Sequence, residues 1–243
     1  MLGFHEYDRA MHVLITGGAG FLGRRLANSL LQRGTLAGAH GEQETIDRMT
    51  LLDVVPPTGM TDPRVAAVSG DVADPVLIKS LIDRHTTSIF HLAAIVSGMA
   101  EADFDLGMRV NLDASRTILD ACRALAHRPR VVFTSSVAVF GGELPALVPE
   151  GTAVTPQSSY GTEKAMAELL VNDYSRRGFV DGRSLRLPTI TVRPGKPNAA
   201  ASSFASGIIR EPLNGVDAIV PSRNRSSTAM SKRSGRSADR AAT

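Results

Sequence analysis

A tyrosine and a lysine four residues apart form the most chemically suggestive pair in the sequence. Tyr160 and Lys164 fall on a helix that apolar periodicity predicts over residues 158–177, so their side chains share one face, one turn apart. A lysine ammonium beside a phenol can lower its pKa, so that the phenol exchanges protons closer to neutrality. The same spacing occurs by chance on many helices, so this interpretation depends on the neighbouring elements.

A predicted strand places a serine where it could join this pair. The apolar run of residues 130–136 predicts a buried strand that ends in hydroxyl side chains, the last being Ser136. Ligands of open parallel sheets bind at the carboxyl ends of the strands. Ser136 is therefore expected on the ligand-binding side of the sheet.

A glycine-rich turn near the start of the chain predicts a phosphate site. Residues 13–16 form a short apolar run, Gly17, Gly20 and Gly23 interrupt it, and an apolar-periodic segment follows. This order predicts a strand, a tight turn and a helix. Glycine lets the backbone approach a pyrophosphate, and the helix N-terminus offers free N–H groups to it. Any tight strand-to-helix turn can also use glycine without binding a ligand.

A carboxylate at the end of the second predicted strand favours NAD over NADP. Asp53 follows the apolar run of residues 49–52 and can accept hydrogen bonds from both hydroxyls of an adenosine ribose. A 2′-phosphate at this point would meet a like charge. Residues 34–43, polar and rich in glycine, are predicted to form a loop that lengthens the gap from the glycine turn. The alternative is an acidic residue that only closes a strand.

Two further strands are predicted over residues 65–68 and 88–92. Asp71, after the first of them, could meet an adenine amino group and Val72 could pack on the ring, or Asp71 could only cap the turn before a helix that begins near Pro75. Small residues follow the second strand and would let a flat cofactor pass. His91 within that strand is expected to be a buried core histidine.

Together these motifs resemble the extended short-chain dehydrogenase/reductase family, whose nucleotide-binding members include epimerases and dehydratases. The matching segments are Thr16 to Gly23, Asp71–Val72, His91 to Ala94, Asn111, Ser135–Ser136 and Tyr160 to Lys164. The resemblance implies an α/β fold with a Rossmann-type, doubly wound parallel sheet. It also implies an NAD-binding domain over residues 11–195 and only the start of a substrate-binding lobe over residues 196–221.

The resemblance assigns roles to individual residues. Tyr160 would be the acid/base, Lys164 would bind the nicotinamide ribose, Ser136 would hold the reacting oxygen and Asn111 would support a proton-relay water, although a polar residue on a helix needs no such role. Expected cofactor contacts are Gly17, Gly20, Phe21, Leu22, Gly23, Asp53, Asp71, Val72, Leu92, Ala93, Ala94, Tyr160, Lys164 and Pro188. Expected substrate contacts are Ser97, Ser136 and Arg193, with Arg109 as an alternative to Arg193 for binding a carboxylate.

The implied activity is oxidation of the C2 hydroxyl of a four-carbon sugar acid by NAD. The alternatives are a nucleotide-sugar epimerase or dehydratase, and a non-catalytic NAD-binding module. Phe140 stands where epimerases of this family usually have tyrosine, which favours simple oxidation without deciding it.

Composition narrows the class of protein and its partners. The 243 residues are 43% hydrophobic, with one cysteine, Cys122, so we expect neither an internal disulfide nor a metal site. No apolar run is long enough to span a bilayer and no leader is recognisable, so we expect a cytoplasmic protein without membrane partners. Residues 222–243 carry a net charge of +5, whereas the whole chain carries +3, so the rest of the chain is slightly negative. We expect this basic tail to be disordered and not to bind nucleic acid specifically. The resemblance also implies a homodimer.

Overall fold

The computed structural model describes residues 11–38, 41–195 and 197–221. The predicted disordered tail, residues 222–243, lies outside them. The chain divides between Leu187 and Pro188 into two compact units. The predicted domain limits, with a substrate lobe beginning at residue 196, stay a prediction.

The first unit is built on one sheet. Its strands are β1 (Met11–Thr16), β2 (Thr35–Ala37), β3 (Gln43–Asp53), β4 (Val65–Ser69), β5 (Thr86–His91), β6 (Arg130–Ser136) and β7 (Asp181–Leu187). The order across the sheet is β2, β3, β1, β5, β6, β7, and β4 pairs with β3. All pairings are parallel except that of β2 with β3. The chain thus crosses from β3 and β4 on one side of β1 to β5, β6 and β7 on the other, which confirms the predicted Rossmann-type fold.

The prediction of a loop over residues 34–43 was wrong. Residues 35–37 pair antiparallel with residues 43–45, so that a short hairpin extends β3 backwards from its apolar part. Arg130 supports the hairpin by donating hydrogen bonds to the carbonyl oxygens of Ala37 and Gly38, at 2.7 and 3.1 Å. These polar residues are held by main-chain pairing and by a distant guanidinium, neither of which produces an apolar pattern in the sequence.

The helices cover both faces of the sheet. They are α1 (Phe21–Arg33), α2 (Pro75–Leu81), α3 (Ser97–Ala102), α4 (Phe104–Gly107), α5 (Ala114–Arg123) and α6 (Ser159–Arg176), with a π-helical segment, Met108–Asp113, between α4 and α5. The predicted helix over residues 158–177 therefore holds within one residue at each end. Asn111, expected on a helix, lies within this π-segment.

Alternation along β1 explains the two layers. Leu14 packs with residues of α2 and α5 on one face, whereas Val13 and Ile15 pack with α1 on the other. All of β1 is buried. A central parallel strand with both faces covered is continuously apolar, as this one is.

The second unit contains helix α7 (Phe204–Leu213), preceded by a short 3₁₀ turn. Ser206 of α7 accepts a hydrogen bond from the backbone N–H of Arg193 at 3.0 Å, and Arg210 donates to the Arg193 carbonyl at 2.6 Å. These bonds tie the segment after Pro188 to the helix. No helix in the described ranges has the length and apolar character needed to cross a membrane.

Candidate active site

The glycine turn after β1 lies very close to the neighbouring strand. Gly17 has φ +72°, and a Cβ atom placed on it would lie 2.9 Å from the backbone nitrogen of Ala93. A Cβ on Gly23 would lie 2.2 Å from the Gly17 carbonyl oxygen. Only glycine fits at these two positions, because a side chain would displace the turn, the helix or the end of β5.

The first turn of α1 is free to bind an anion. Gly20 is the N-cap residue, no side chain caps the helix there, and its first turn contains no acidic residue. The N–H groups of this turn therefore keep their hydrogen-bonding capacity and the positive end of the helix dipole. Phe21 and Leu22 begin the same turn, so this cradle fits a pyrophosphate.

Asp53 is held beside this turn. Its Oδ2 accepts a hydrogen bond from the backbone N–H of Ala19 at 3.0 Å, and its Oδ1 accepts one from Val55 at 3.2 Å. Each carboxylate oxygen keeps a further lone pair for a ribose hydroxyl. The predicted ribose acceptor is therefore fixed in orientation next to the predicted pyrophosphate cradle, and these residues fit a dinucleotide.

Asp71 forms an ion pair that the sequence did not predict. Arg109, on the π-segment, donates to Asp71 Oδ2 at 2.6 Å, and the backbone N–H of Ala73 donates to Oδ1 at 2.9 Å. Burial raises the pKa of Asp71, but these bonds outweigh it and leave the pKa below its usual value. Asp74, not Asp71, caps α2, through the N–H groups of Val76 and Leu77. The side chain of Val72 is buried in the core.

The end of β5 is tied to the end of β1. The backbone N–H groups of Leu92 and Ala93 donate to the carbonyl and the hydroxyl of Thr16, both at 3.2 Å. Leu92, Ala93 and Ala94 are half-buried, as is Ser97 at the start of α3. The predicted cofactor contacts on this strand therefore continue directly from the glycine turn.

His91 is a satisfied core residue, as predicted. Its Nδ1 lies 2.7 Å from the Thr16 hydroxyl and its Nε2 lies 3.0 Å from the Ser115 hydroxyl. Burial, with a smaller contribution from the charge of Lys164, lowers its pKa to about 3. The imidazole is thus neutral and fully engaged, and it offers no proton-transfer group.

The structure brings Tyr160 and Ser136 together. The Ser136 hydroxyl lies where it acts as a hydrogen-bond partner of the Tyr160 phenol and lowers its pKa. Ser136 Oγ also accepts one from the Ala138 N–H at 3.1 Å, which fixes its rotamer. Ser158 caps α6 by accepting from the N–H of Gly161, also at 3.1 Å, and so starts the helix two residues before Tyr160. The two hydroxyls expected to hold a reacting oxygen are thus adjacent.

The first turn of α6 can pack against the segment after β6 only because residue 161 is glycine. A Cβ there would lie 2.3 Å from the Ala138 carbonyl oxygen. The first turn of α6 therefore rests directly on the backbone of the 3₁₀ segment Val137–Val139, which follows Ser136. This contact sets the separation between the tyrosine and the serine.

The ionisation of Tyr160 differs from the expectation. Burial raises its pKa above the ordinary value, the nearby charge of Glu163 raises it further, and only the hydrogen bond from Ser136 lowers it. The expected lowering by Lys164 does not prevail among the described residues. The ammonium lies 5.7 Å from the Tyr160 ring centroid, beside the ring. Stabilisation of a phenolate must therefore come in part from groups that bind to the site.

Lys164 is buried with its amine pointing at β6. It is 1% exposed, and Nζ donates to the Thr134 carbonyl oxygen at 3.0 Å. Nζ also lies 4.7 Å from the centre of the Phe133 ring. Burial lowers its pKa to about 8, although the charge of Glu163 acts in the opposite direction. A lysine with this pKa can lose and regain a proton near neutrality.

Asn111 forms hydrogen bonds with the backbone of Ile95 and with the side chain of Glu163. Its Oδ1 accepts from the Ile95 N–H at 2.8 Å, and its Nδ2 donates to the Ile95 carbonyl at 3.1 Å and to Glu163 Oε2 at 2.6 Å. No role for Glu163 was predicted from the sequence. Its position inside the Tyr160–Lys164 motif was the only available indication.

Two expected contacts belong to the second unit. Pro188 is its first residue, and Arg193 is held there by Ser206 and Arg210. Arg109, the alternative to Arg193, is engaged by Asp71. Within the described ranges, no group of three or more His, Cys, Asp or Glu side chains is placed to hold a metal ion.

Comparison with known proteins gives close relatives. The chain is 68% identical over 211 residues to the D-erythronate dehydrogenase of Cupriavidus necator, covering 87% of this chain and 65% of the relative. It is 54% identical over 212 residues to the D-erythronate dehydrogenase of Haemophilus influenzae, with the same coverage of both chains. The chain thus spans 65% of the length of these curated relatives.

A solved structure agrees with the fold. The nucleoside-diphosphate-sugar epimerase from Agrobacterium tumefaciens superimposes with a TM-score of 0.80 at 47% identity, covering 91% of this chain and 65% of that one. The family model described as "NAD dependent epimerase/dehydratase family" matches residues 13–227. This match confirms both the resemblance and NAD as the cofactor. Because it extends over most of the sequence, the chain belongs to the NAD dependent epimerase/dehydratase family.

Proposed function

We propose that this protein is an NAD-dependent dehydrogenase that oxidises the C2 hydroxyl of a four-carbon sugar acid, converting D-erythronate to 2-dehydro-D-erythronate. The observation that carries the chemistry is the approach of the Ser136 hydroxyl to the Tyr160 phenol beside the buried amine of Lys164. The relatives named D-erythronate dehydrogenase support the choice of substrate.

The reaction requires one proton and one hydride to leave the substrate. Tyr160, as phenolate, accepts the proton of the C2 hydroxyl, and a C2=O bond forms as the C2–H bond breaks. When bound, NAD supplies the acceptor for the hydride and a positively charged ring that favours the phenolate. Ser136 donates a hydrogen bond to the same oxygen and holds it against Tyr160.

Other residues position the reactants. Lys164 lies under Tyr160 and is proposed to bind the nicotinamide ribose, a role for which its pKa of about 8 leaves it mostly protonated at neutral pH. Ser97 is proposed as a further substrate contact. For the substrate carboxylate, which requires a cation, Arg193 remains the proposed residue because Arg109 is paired with Asp71.

An epimerase reaction is the second candidate, favoured by the name of the solved neighbour from Agrobacterium tumefaciens. An epimerase returns the hydride to its substrate, so it would retain NAD and change product without net reduction of the cofactor. Phe140 argues for the dehydrogenase, since its ring contacts the Arg186 guanidinium at 4.8 Å and carries no hydroxyl for a second acid/base role.

The test is the rate of NAD reduction with D-erythronate, followed by the absorbance of reduced nicotinamide. We expect turnover in the protein and its loss in Tyr160→Phe, while a titration shows that both bind NAD. Nucleotide-sugar conversion without net reduction would establish the epimerase instead. NAD binding without either reaction would leave a non-catalytic module.

Two further expectations accompany this function. The predicted homodimer through the helices that carry Asn111 and Tyr160 is tested by the mass of the protein in solution, measured by light scattering. The predicted cytoplasmic location is tested by fractionation of cells that express the protein.

A further inference from the structure

Glu163 is a fully buried carboxylate that the proposed reaction does not use. It lies on α6 between the helix positions of Tyr160 and Lys164 and is 0% exposed. A buried charge is costly unless it is paired and hydrogen-bonded. Glu163 forms no ion pair within 4 Å of its oxygens in the part of the chain that the structure describes, so its burial calls for a physical reason.

Within the described residues, Glu163 accepts one hydrogen bond, and this bond joins α6 to the π-segment. Oε2 accepts from Asn111 Nδ2 at 2.6 Å, and Asn111 in turn bonds the N–H and the carbonyl of Ile95. Ile95 follows the small residues at the end of β5. The carboxylate thereby joins α6 to the π-segment and, through it, to the strand end expected to contact the cofactor.

The other oxygen has no partner. Glu163 Oε1 is buried without a hydrogen bond among the described residues. It faces Gly107, where an added Cβ would lie only 2.4 Å away. The surroundings are therefore shaped to hold this carboxyl group closely, yet they leave its remaining charge unsatisfied by any N–H or O–H.

We propose that Glu163 is a positioning residue for the Tyr160–Lys164 pair: its carboxylate clamps Asn111 and the Ile95 backbone to α6, and its charge acts on the two reacting side chains, which lie next to it on the same helix. This inference rests on the proposed function, since it concerns the same site. It adds a residue that acts through Tyr160 and Lys164 without touching substrate.

The charges around Glu163 set the direction of its effect. On α6 its charge interacts with Lys164 and Tyr160, from α3 the charge of Glu101 acts on it, and from the π-segment the neutral amide of Asn111 donates a hydrogen bond to it. Burial raises the pKa of Glu163 above its usual value, and the hydrogen bond from Asn111 and the charge of Lys164 oppose this. His91, beyond Lys164, is neutral. The carboxylate favours the protonated forms of both lysine and tyrosine. Removing it should therefore make the phenol of Tyr160 easier to ionise.

The titration of Tyr160 tests this without requiring turnover. The chain contains three tyrosines and no tryptophan, so tyrosinate absorbance is readily followed. The difference between the protein and its Tyr160→Phe variant isolates residue 160. We expect Glu163→Gln, which keeps an oxygen for Asn111 but removes the charge, to lower the pKa of Tyr160 by roughly one unit.

Glu168→Gln is the matched control, since Glu168 is a buried carboxylate of the same helix that pairs with Arg186 at 2.7 Å instead. Glu163→Met, which fills a similar volume without a charge, is made in parallel so that a folded variant is available. If Tyr160 titrates alike in the protein, the control and a folded Glu163 variant, the proposal is overturned. It is overturned too if neither Glu163 variant folds, because Glu163 would then be purely structural.

Kinetics give an independent second readout. If D-erythronate is turned over, the kcat/KM profile of Glu163→Gln should move to lower pH in parallel with the titration. Glu163→Ala, which removes the acceptor for Asn111 as well, should lower kcat more than Glu163→Gln does. If the unaltered protein shows no turnover, the proposed function is contradicted. The proposal for Glu163 is then still tested, because the titration of Tyr160 does not require turnover.

Discussion

At the scale of single residues, Asp53 decides which dinucleotide the glycine turn accepts. Its carboxylate is fixed by the N–H groups of Ala19 and Val55, so it cannot turn away from a ribose at that point. We expect Asp53→Asn to weaken NAD binding by about tenfold or more, the effect of one lost charge-assisted hydrogen bond. The penalty against NADP should fall at the same time, because the like charge is gone.

Isothermal titration calorimetry with both dinucleotides measures this change. Asp173→Asn, which removes an exposed carboxylate near the end of α6, is the control and should alter neither affinity. An unchanged ratio of NAD to NADP affinity in Asp53→Asn would contradict the assignment of Asp53.

The residue types of the candidate site could be predicted from the sequence, but the pKa values of their side chains could not. The proximity of Tyr160 and Ser136 was predictable from the family resemblance, which assigns both residues to one reacting oxygen. The raised pKa of Tyr160 was not predictable from the sequence. It depends on how deeply the ring is buried and on the charge of Glu163, and no sequence pattern shows where the Glu163 side chain points. The ion pair between Asp71 and Arg109 joins residues far apart in sequence and was equally hidden.

At the scale of elements, the contact between α6 and the segment after β6 controls the site. Gly161→Ala would place a Cβ 2.3 Å from the Ala138 carbonyl oxygen, so the helix or the 3₁₀ segment must move. We expect a loss of stability of about 1–3 kcal/mol. Turnover should fall at least tenfold, because the hydrogen bond between Tyr160 and Ser136 cannot persist at its present geometry.

Thermal melting and NAD reduction measure the two effects. Gly151→Ala is the matched control, since an added Cβ there meets nothing within 4 Å, and it should leave both quantities unchanged. If Gly161→Ala behaves like Gly151→Ala, the helix contact does not set the site geometry.

The elements that could not be predicted from the sequence have one physical feature in common. Strong apolar periodicity predicted α6 and the central strands, whose side chains fill the core. The hairpin of β2 with β3 and the π-segment around Asn111 depend on main-chain hydrogen bonds and on distant polar groups. A π-helical turn widens a helix locally and is frequent at functional sites. Here it contains Asn111, whose hydrogen bonds reach Ile95 and Glu163.

At the scale of the whole molecule, two buried histidines limit stability in acid. His12 is the second residue of β1 and His91 contacts the last, Thr16; burial lowers the pKa of both, that of His91 to about 3. Unfolded histidines bind protons below about pH 6.5, whereas these do not. The stability they contribute is therefore fully present above pH 6.5 and is lost as the pH falls toward 3.

Urea unfolding between pH 4 and 8 checks this expectation. We expect His91→Gln to flatten the decline below about pH 6.5, because glutamine does not titrate. Above that pH the two curves should run parallel, which serves as an internal control. A decline of equal slope in the variant would show that other groups cause the loss.

The order of the strands also bears on how the molecule folds. The glycine turn and Asp53 are joined by pairing of β1 with β3, which are neighbours in sequence apart from one helix and one hairpin. The hydroxyl pair reaches the glycine turn only when β5 pairs with β1, a contact that closes a longer loop than the pairing of β1 with β3 does. Because longer loops cost more entropy to close, the glycine turn and Asp53 can come together early in folding, before β5 brings the hydroxyl pair beside them.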